Sequence, residues 1–189
     1  MYDLRHTSRG RHRGRPLHTH PMHTIIVATV TANGFIARGT NELANWSSKE
    51  DKKFFVEETK KAGVMIMGRT TFATIGRPLQ GRLIVVLTEK PEEVEIVPGS
   101  VETASGDLKT VLNGLEARGF TAVVIAGGSN VYGQFLNAGF VNEIALTHEP
   151  ILFSNGIPLA ASLEKEVNLE TISVERLGEK TVLIRYKVL

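Results

Sequence analysis

Apolar and polar positions change their spacing several times along this chain, and each change marks an element. Ile25–Val30 is an unbroken apolar run of strand length, rich in β-branched residues. Thr31-Ala32-Asn33-Gly34 is turn chemistry, Phe35-Ile36-Ala37 a short extended piece, and Arg38–Asn45 a polar loop without periodicity. Ser47, with Glu50 three residues on, reads as a capping box and opens a helix to about Lys61. Val64–Met67 and Leu83–Leu87 are two further apolar strands, with a short helix opened by Arg69-Thr70-Thr71 and a stiff turn from Ile75 to Arg82 between them. Pro91–Gly99 is a loop. Ser105 or Asp107 caps a helix with apolar Leu108, Val111, Leu112 and Leu115, which Gly119 ends. Ala122–Ala126 is a buried strand, Gly127-Gly128 a turn, Asn130–Asn137 a short helix and Val141–His148 another strand. Val167–Leu177 and Thr181–Val188 read as a hairpin joined through Gly178-Glu179. Strands alternate with helices to about Tyr132 and then dominate. The expected class is α/β, with a mostly parallel central sheet and antiparallel strands at the C-terminal end.

Composition changes this picture mainly at the N-terminus. Residues 1–23 have almost no apolar content, hold Arg5, Arg9, Arg11, Arg13 and Arg15, and carry five of the six histidines, His6, His12, His18, His20 and His23. They read as a disordered basic extension ahead of a domain at residues 24–189, with Met22 as a candidate functional start. A metal or polyanion site is the sharper alternative for the histidines; the bland extension is the favoured reading, and no metal is expected. The net charge of +2 hides an asymmetry, because beyond residue 23 the chain holds 17 basic and 19 acidic side chains. That balance argues against a nucleic-acid surface on the folded part. There is no cysteine, which excludes disulfides and thiolate–metal sites. No apolar run reaches the roughly 20 residues of a membrane span, and the N-terminus lacks the apolar segment of a secretory signal. A cytoplasmic protein, monomeric or homodimeric, is the expectation.

Two stretches carry chemistry on residue grounds. Gly68 ends a strand and Arg69-Thr70-Thr71 begins a helix, so free backbone N–H groups, two hydroxyls and a guanidinium meet where a phosphate-bearing ligand would suit them. Asp51 and Phe55, four residues apart, share a helix face. A carboxylate beside a ring suits a flat, nitrogen-rich heterocycle. The structural alternative is a first-turn acid favoured by the helix dipole, with Phe55 in the core.

The stretch Met67-Gly68-Arg69 through Ile75-Gly76-Arg77-Pro78-Leu79-Gln80-Gly81-Arg82 resembles dihydrofolate reductase at every fixed position of that family's pattern. Trp46, Asp51 and Phe55 reproduce the family spacing of a tryptophan, the pocket acid and an aromatic, and Ala126-Gly127-Gly128 through Leu136 is similar to the family's glycine-pair segment, in which a cis peptide joins the pair. The resemblance covers about Thr24 to Glu149. It implies a three-layer dihydrofolate-reductase-like fold and an NADPH-dependent reduction of dihydrofolate, with Asp51, Thr147 and Trp46 in the catalytic set. It places Val27, Ala28, Phe55, Ile75, Arg82 and Ala126 around the substrate with Asp51 and Thr147, Arg82 meeting the carboxylate of the folate glutamate. For the cofactor it implies Ala28, Thr29, Ile36, Gly68, Arg69, Thr70 and Thr71. Further on it implies Thr88, Lys90, Gly127, Gly128, Ser129, Asn130, Val131 and Tyr132.

Three places depart from the family pattern. Asn45 stands before Trp46 where the family has proline. Glu89 and Lys90 follow the strand at the place where the 2′-phosphate of NADPH is held, one repelling and one attracting it, which leaves NADPH against NADH open. Pro150–Leu159 is more similar to the related reductases of riboflavin synthesis, which act on a ribosylaminopyrimidine phosphate. That activity is the alternative, and a nucleotide-binding protein without turnover is a third reading.

Overall fold

The long apolar runs become the inner strands of one sheet. In the computed structural model, which describes residues 22–189, β1 (His23–Thr31), β3 (Val64–Gly68), β4 (Leu83–Leu87), β6 (Ala122–Ile125) and β7 (Glu143–Glu149) run parallel in the order β4-β3-β6-β1-β7. β5 (Val101–Ala104) extends the sheet beyond β4, again parallel. On the other side β10 (Thr181–Val188) pairs antiparallel with β7, and β9 (Leu169–Leu177) pairs antiparallel with β10 at the edge. The expected mostly parallel sheet with its antiparallel C-terminal hairpin is what the chain forms. A separate two-stranded sheet joins β2 (Phe35–Ala37) to β8 (Ile157–Pro158).

Period-two alternation divides the apolar side chains between two cores. Ile26, Ala28 and Val30 of β1 and Val64 and Ile66 of β3 pack into one; Val27, Met65 and Met67 pack into the other. Helices α3 (Leu108–Ala117) and α4 (Ser129–Asn137) cover the first face through Leu112, Leu115, Phe135 and Leu136. Helices α1 (Lys49–Ala62) and α2 (Arg69–Ile75) cover the second through Phe54 and Phe72. Strands buried on both faces explain the continuous apolar runs in the sequence.

Two boundaries and two short strands stand out against the expectation. The first is the start of the fold, expected after residue 23. Met22 is 1% exposed inside the first core and His23 already belongs to β1. The tail reading for residues 1–21 lies outside the described residues. The second is the cap of α1, which is Ser48 rather than Ser47. The Ser48 hydroxyl accepts from the Asp51 N–H at 3.0 Å, while the Ser47 hydroxyl donates to the Ala44 carbonyl. The third is β5, between two loops, of which only Val101 is buried. The fourth is β8, two residues long. Of the two candidate caps of α3, Asp107 is the one used; its carboxylate accepts from the Thr110 N–H.

The chain after β7 crosses α4 as a strap. Ala161 donates its N–H to the Ser129 carbonyl, and a Cβ placed on Gly133 would lie 2.1 Å from the Ala161 carbonyl oxygen. Gly133→Ala is therefore expected to destabilise the protein by about 1–3 kcal/mol, the cost of overpacking. Helix propensity alone favours alanine by about 1 kcal/mol. Gly114 in α3, with nothing within 4 Å of its built Cβ, is the control, and Gly114→Ala is expected to stabilise. Chemical denaturation of both variants checks the pair of opposite signs.

Candidate active site

The parallel strands end along one edge of the sheet, where the loops leaving them face one another. Asp51 reaches this edge because Ser48 starts α1 three residues earlier, and because the buried side of α1 continues from Asp51 to Phe54 and Thr59. Asp51 is 7% exposed. Its carboxylate makes a short hydrogen bond with the Thr147 hydroxyl of β7. Burial raises its pKa above the usual carboxylate range, the nearby Glu149 charge acts in the same direction, and hydrogen bonds from Ser47 and Thr147 and the charge of Lys52 oppose them.

The Thr147 hydroxyl also lies 3.3 Å from the Ala28 carbonyl of β1. This arrangement satisfies both protonation states of Asp51. With Asp51 ionised, Thr147 donates to it. With Asp51 protonated, the carboxyl donates to the Thr147 oxygen, and Thr147 turns its own proton to Ala28. Behind them the buried Tyr132 phenol donates to the Val27 carbonyl at 3.0 Å. Burial, and then the Asp51 charge, push its pKa upwards, so it stays a neutral donor. Thr29 is half-buried beside Thr147, with its hydroxyl 3.4 Å from the Thr147 carbonyl.

Phe55, Ile75 and Leu79 are half-buried and pack against the core on the α1 side, forming an apolar wall. Arg82 lies beyond it, 8% exposed, with one terminal N–H donating to the Val56 carbonyl of α1 and no partner for Nε. Burial lowers its pKa. A buried guanidinium without a carboxylate partner among the described residues has donors left to offer an anion. Trp46 stands edge-on to Phe153, ring centres 5.1 Å apart, and its buried indole N–H also lacks a partner among the described residues.

The glycine turn closes the other side. Gly127 and Gly128 are joined by a cis peptide bond, as the family pattern implies. The Gly68 N–H donates to the Gly127 carbonyl at 2.9 Å, and a Cβ on Gly128 would come within 3.1 Å of the Thr71 hydroxyl. Gly68 and Val131 are equally close, with 3.2 Å between a built Cβ and the valine methyl. Helix α4 begins at Ser129 with no side-chain cap, and the buried Ser129 hydroxyl has no partner among the described residues. Ala126 is half-buried and bonds β3 through its N–H; Asn130 is exposed. Ile36 is half-buried against the first core.

Most residues implied by the resemblance therefore converge on this edge. Arg69 and Lys90 come together with a partner the sequence did not announce. Glu93 forms a short ion pair with Arg69 and another at 2.9 Å with Lys90, so the two cations carry a carboxylate between them. Thr88 is half-buried and its hydroxyl accepts from the Lys90 N–H; Thr70 is exposed. Three further residues were missed. Glu149, Ser48 and Thr181 form a buried network behind Asp51, linked across more than a hundred residues of sequence. Only the Ser-x-x-Asp spacing of Ser48 and Asp51 could have been noticed.

A family model described as dihydrofolate reductase matches residues 23–151. Dihydrofolate reductase HdrB of Haloferax volcanii is 32% identical over 66% of this chain and 66% of its own, so the match spans just under two thirds of that protein. A dihydrofolate reductase of Enterococcus faecalis, solved with NADP(H) and an inhibitor named RAB-propyl, superposes with a TM-score of 0.68 at 24% identity, over 89% of this chain and 96% of that one. The riboflavin biosynthesis reductase of Saccharomyces cerevisiae superposes with a TM-score of 0.71 at 17% identity, over 89% and 90%. At these identities the two structures speak for the fold.

Proposed function

The chain belongs to the dihydrofolate reductase family, and from that premise we propose that it reduces 7,8-dihydrofolate to tetrahydrofolate with NADPH. The observation that carries this reading is the buried Asp51–Thr147 pair, set between the apolar wall of Phe55 and Ile75 and the uncapped start of α4.

The residues present fit the cofactor. Glycines at 127 and 128 leave backbone open where a side chain would press on Thr71, and the first N–H groups of α4 with the orphaned Ser129 hydroxyl are donors for a pyrophosphate. When bound, NADPH supplies the hydride that is delivered to the pterin ring carbon. The chain's own residues bind, orient and manage the proton. Asp51 accepts two hydrogen bonds from the amidine-like edge of the pterin and promotes protonation of the adjacent ring nitrogen through water. Thr147 holds Asp51 in either protonation state. Phe55 and Ile75 exclude water from the plane of the ring, and Arg82 pairs with the glutamate carboxylate. Arg82 is also what favours a second reading, because an unpaired buried guanidinium accepts the phosphate of a ribosylaminopyrimidine as readily.

A diaminopyrimidine antifolate with an apolar tail tests the choice. The apolar wall accommodates such a tail, whereas ribose hydroxyls against it would be left unpaired at about 1–3 kcal/mol each. Calorimetry is expected to show binding at micromolar concentration or tighter, on the order of −8 kcal/mol. No binding, together with reduction of the ribosylaminopyrimidine phosphate, would replace the first reading with the second.

A further inference from the structure

A second carboxylate is buried behind Asp51, and nothing in the mechanism above uses it. Glu149 of β7 is 6% exposed, two residues after Thr147 and therefore on the same face of the sheet. Among the described residues it is not paired with a cation. One carboxylate oxygen accepts from the Ser48 N–H at 2.9 Å and from the Thr181 hydroxyl of β10 at 3.0 Å. The Thr181 and Ser48 hydroxyl oxygens are 2.7 Å apart, and the Ser48 hydroxyl accepts from the Asp51 N–H at 3.0 Å. Each hydroxyl has one proton to give, so with Glu149 as the carboxylate acceptor the chain runs in one direction. The Asp51 N–H donates to Ser48, Ser48 donates to Thr181, and Thr181 donates to the Glu149 carboxylate.

We propose that Glu149 is a positioning residue for Asp51: it anchors the first turn of α1 through Ser48 and Thr181 and so sets a second carboxylate behind that of Asp51. The placement has a physical logic. A helix N-terminus favours an ionised carboxylate in its first turn, and the Thr147 hydroxyl pulls Asp51 the same way. A carboxylate bound to the same turn offsets this pull without touching the ligand face. The charged and titratable groups facing Asp51 are few among the described residues. Glu149 comes from β7, the neutral Tyr132 phenol from α4, and Lys52 from α1 itself. From β10 come Thr181 and Leu183, and from β1 the Ala28 carbonyl, none of which titrates. Glu149 is thus the acidic neighbour whose charge acts on Asp51 against that of Lys52. Its role in catalysis rests on Asp51 being the acid of the pocket, as proposed above; its action on Asp51 does not.

The test reads Asp51 directly. The chain has three aspartates, Asp3, Asp51 and Asp107, so carbon-13 labelling of aspartate carboxyls gives a spectrum in which Asp51→Asn assigns the resonance. Glu149→Gln keeps the shape and an acceptor oxygen but removes the charge. The Asp51 resonance is expected to titrate at lower pH in Glu149→Gln than in the parent, with the Asp107 midpoint unmoved. An unchanged or higher Asp51 midpoint would overturn the proposal. Thr181→Val removes the hydroxyl that joins Glu149 to the Ser48 side chain while the Ser48 N–H bond to Glu149 stays, and it stands as the second variant if Glu149→Gln does not fold. Hydrogen exchange of the Asp51 amide is expected to speed up about tenfold or more in it, the scale of losing one buried hydrogen bond of 1–3 kcal/mol. Unchanged exchange would overturn the anchoring through Thr181. The titration needs no substrate. A moved midpoint in a protein that does not reduce dihydrofolate would sustain this inference and sink the function; an unmoved midpoint in an active enzyme would do the reverse.

Discussion

Asp51→Asn is expected to lower turnover with dihydrofolate at neutral pH by about 10²-fold or more, the range for losing an acid–base group. Asparagine keeps the size and can still accept from Thr147, so the pocket shape is preserved. Binding of NADPH is expected to change little, because the glycine turn and the start of α4 lie on other elements. The same substitution has an opposite effect on stability. Burial raises the Asp51 pKa in the folded state above its unfolded value. As pH rises through the ordinary carboxylate range, the unfolded chain releases this proton first, and the folded state loses stability until Asp51 itself ionises. Asp51→Asn removes that loss. The variant is expected to melt higher than the parent at neutral pH, and the gap is expected to close as pH falls below the ordinary carboxylate range, where both side chains are neutral. A dead enzyme that is also less stable at neutral pH would mean that Asp51 is a structural acid.

Arg82→Leu is expected to raise the KM for dihydrofolate by about 10²-fold while changing kcat far less. A desolvated charge pair lost on one side costs about 2–5 kcal/mol, and this one is made to the tail of the substrate, away from the reacting atoms. Stability is expected to hold or rise. Arg82 is 8% exposed, its Nε lacks a partner among the described residues, and a terminal N–H donates to the Val56 carbonyl. The folded protein bears the cost of a buried guanidinium whose return comes only with an anion. Steady-state kinetics with thermal denaturation separate the two effects. A KM within twofold of the parent would remove Arg82 from the substrate site.

The site was legible where its parts are local. Gly68 before α2, the Gly127-Gly128 pair before α4 and the spacing of Asp51 and Phe55 each sit within one turn or one helix, so residue type and spacing reveal them. The inner strands were legible for a similar reason, since burial on both faces leaves an unbroken apolar run. What failed is long-range. Ser47 and Ser48 offer equal capping chemistry, and the choice falls to Ser48 because that register turns Asp51 under β7 and lets the Ser48 N–H reach Glu149. Glu149, Thr181 and Glu93 look like ordinary strand or loop residues; their roles arise from partners brought together by folding. Met22 is a lone apolar residue between Pro21 and His23, and only the core it enters distinguishes it from the polar stretch before it. β5 and β8 are too short, and too little buried, to impose a period.

The central claim is that this pocket binds a folate and passes hydride to it. The most direct measurement follows the absorbance of NADPH when the purified full chain meets dihydrofolate, with the ribosylaminopyrimidine phosphate as the competing substrate. NADPH consumption with dihydrofolate, matched by tetrahydrofolate formed and abolished by Asp51→Asn, is the expected result. Consumption only with the pyrimidine, or at an equal rate in Asp51→Asn, would contradict it.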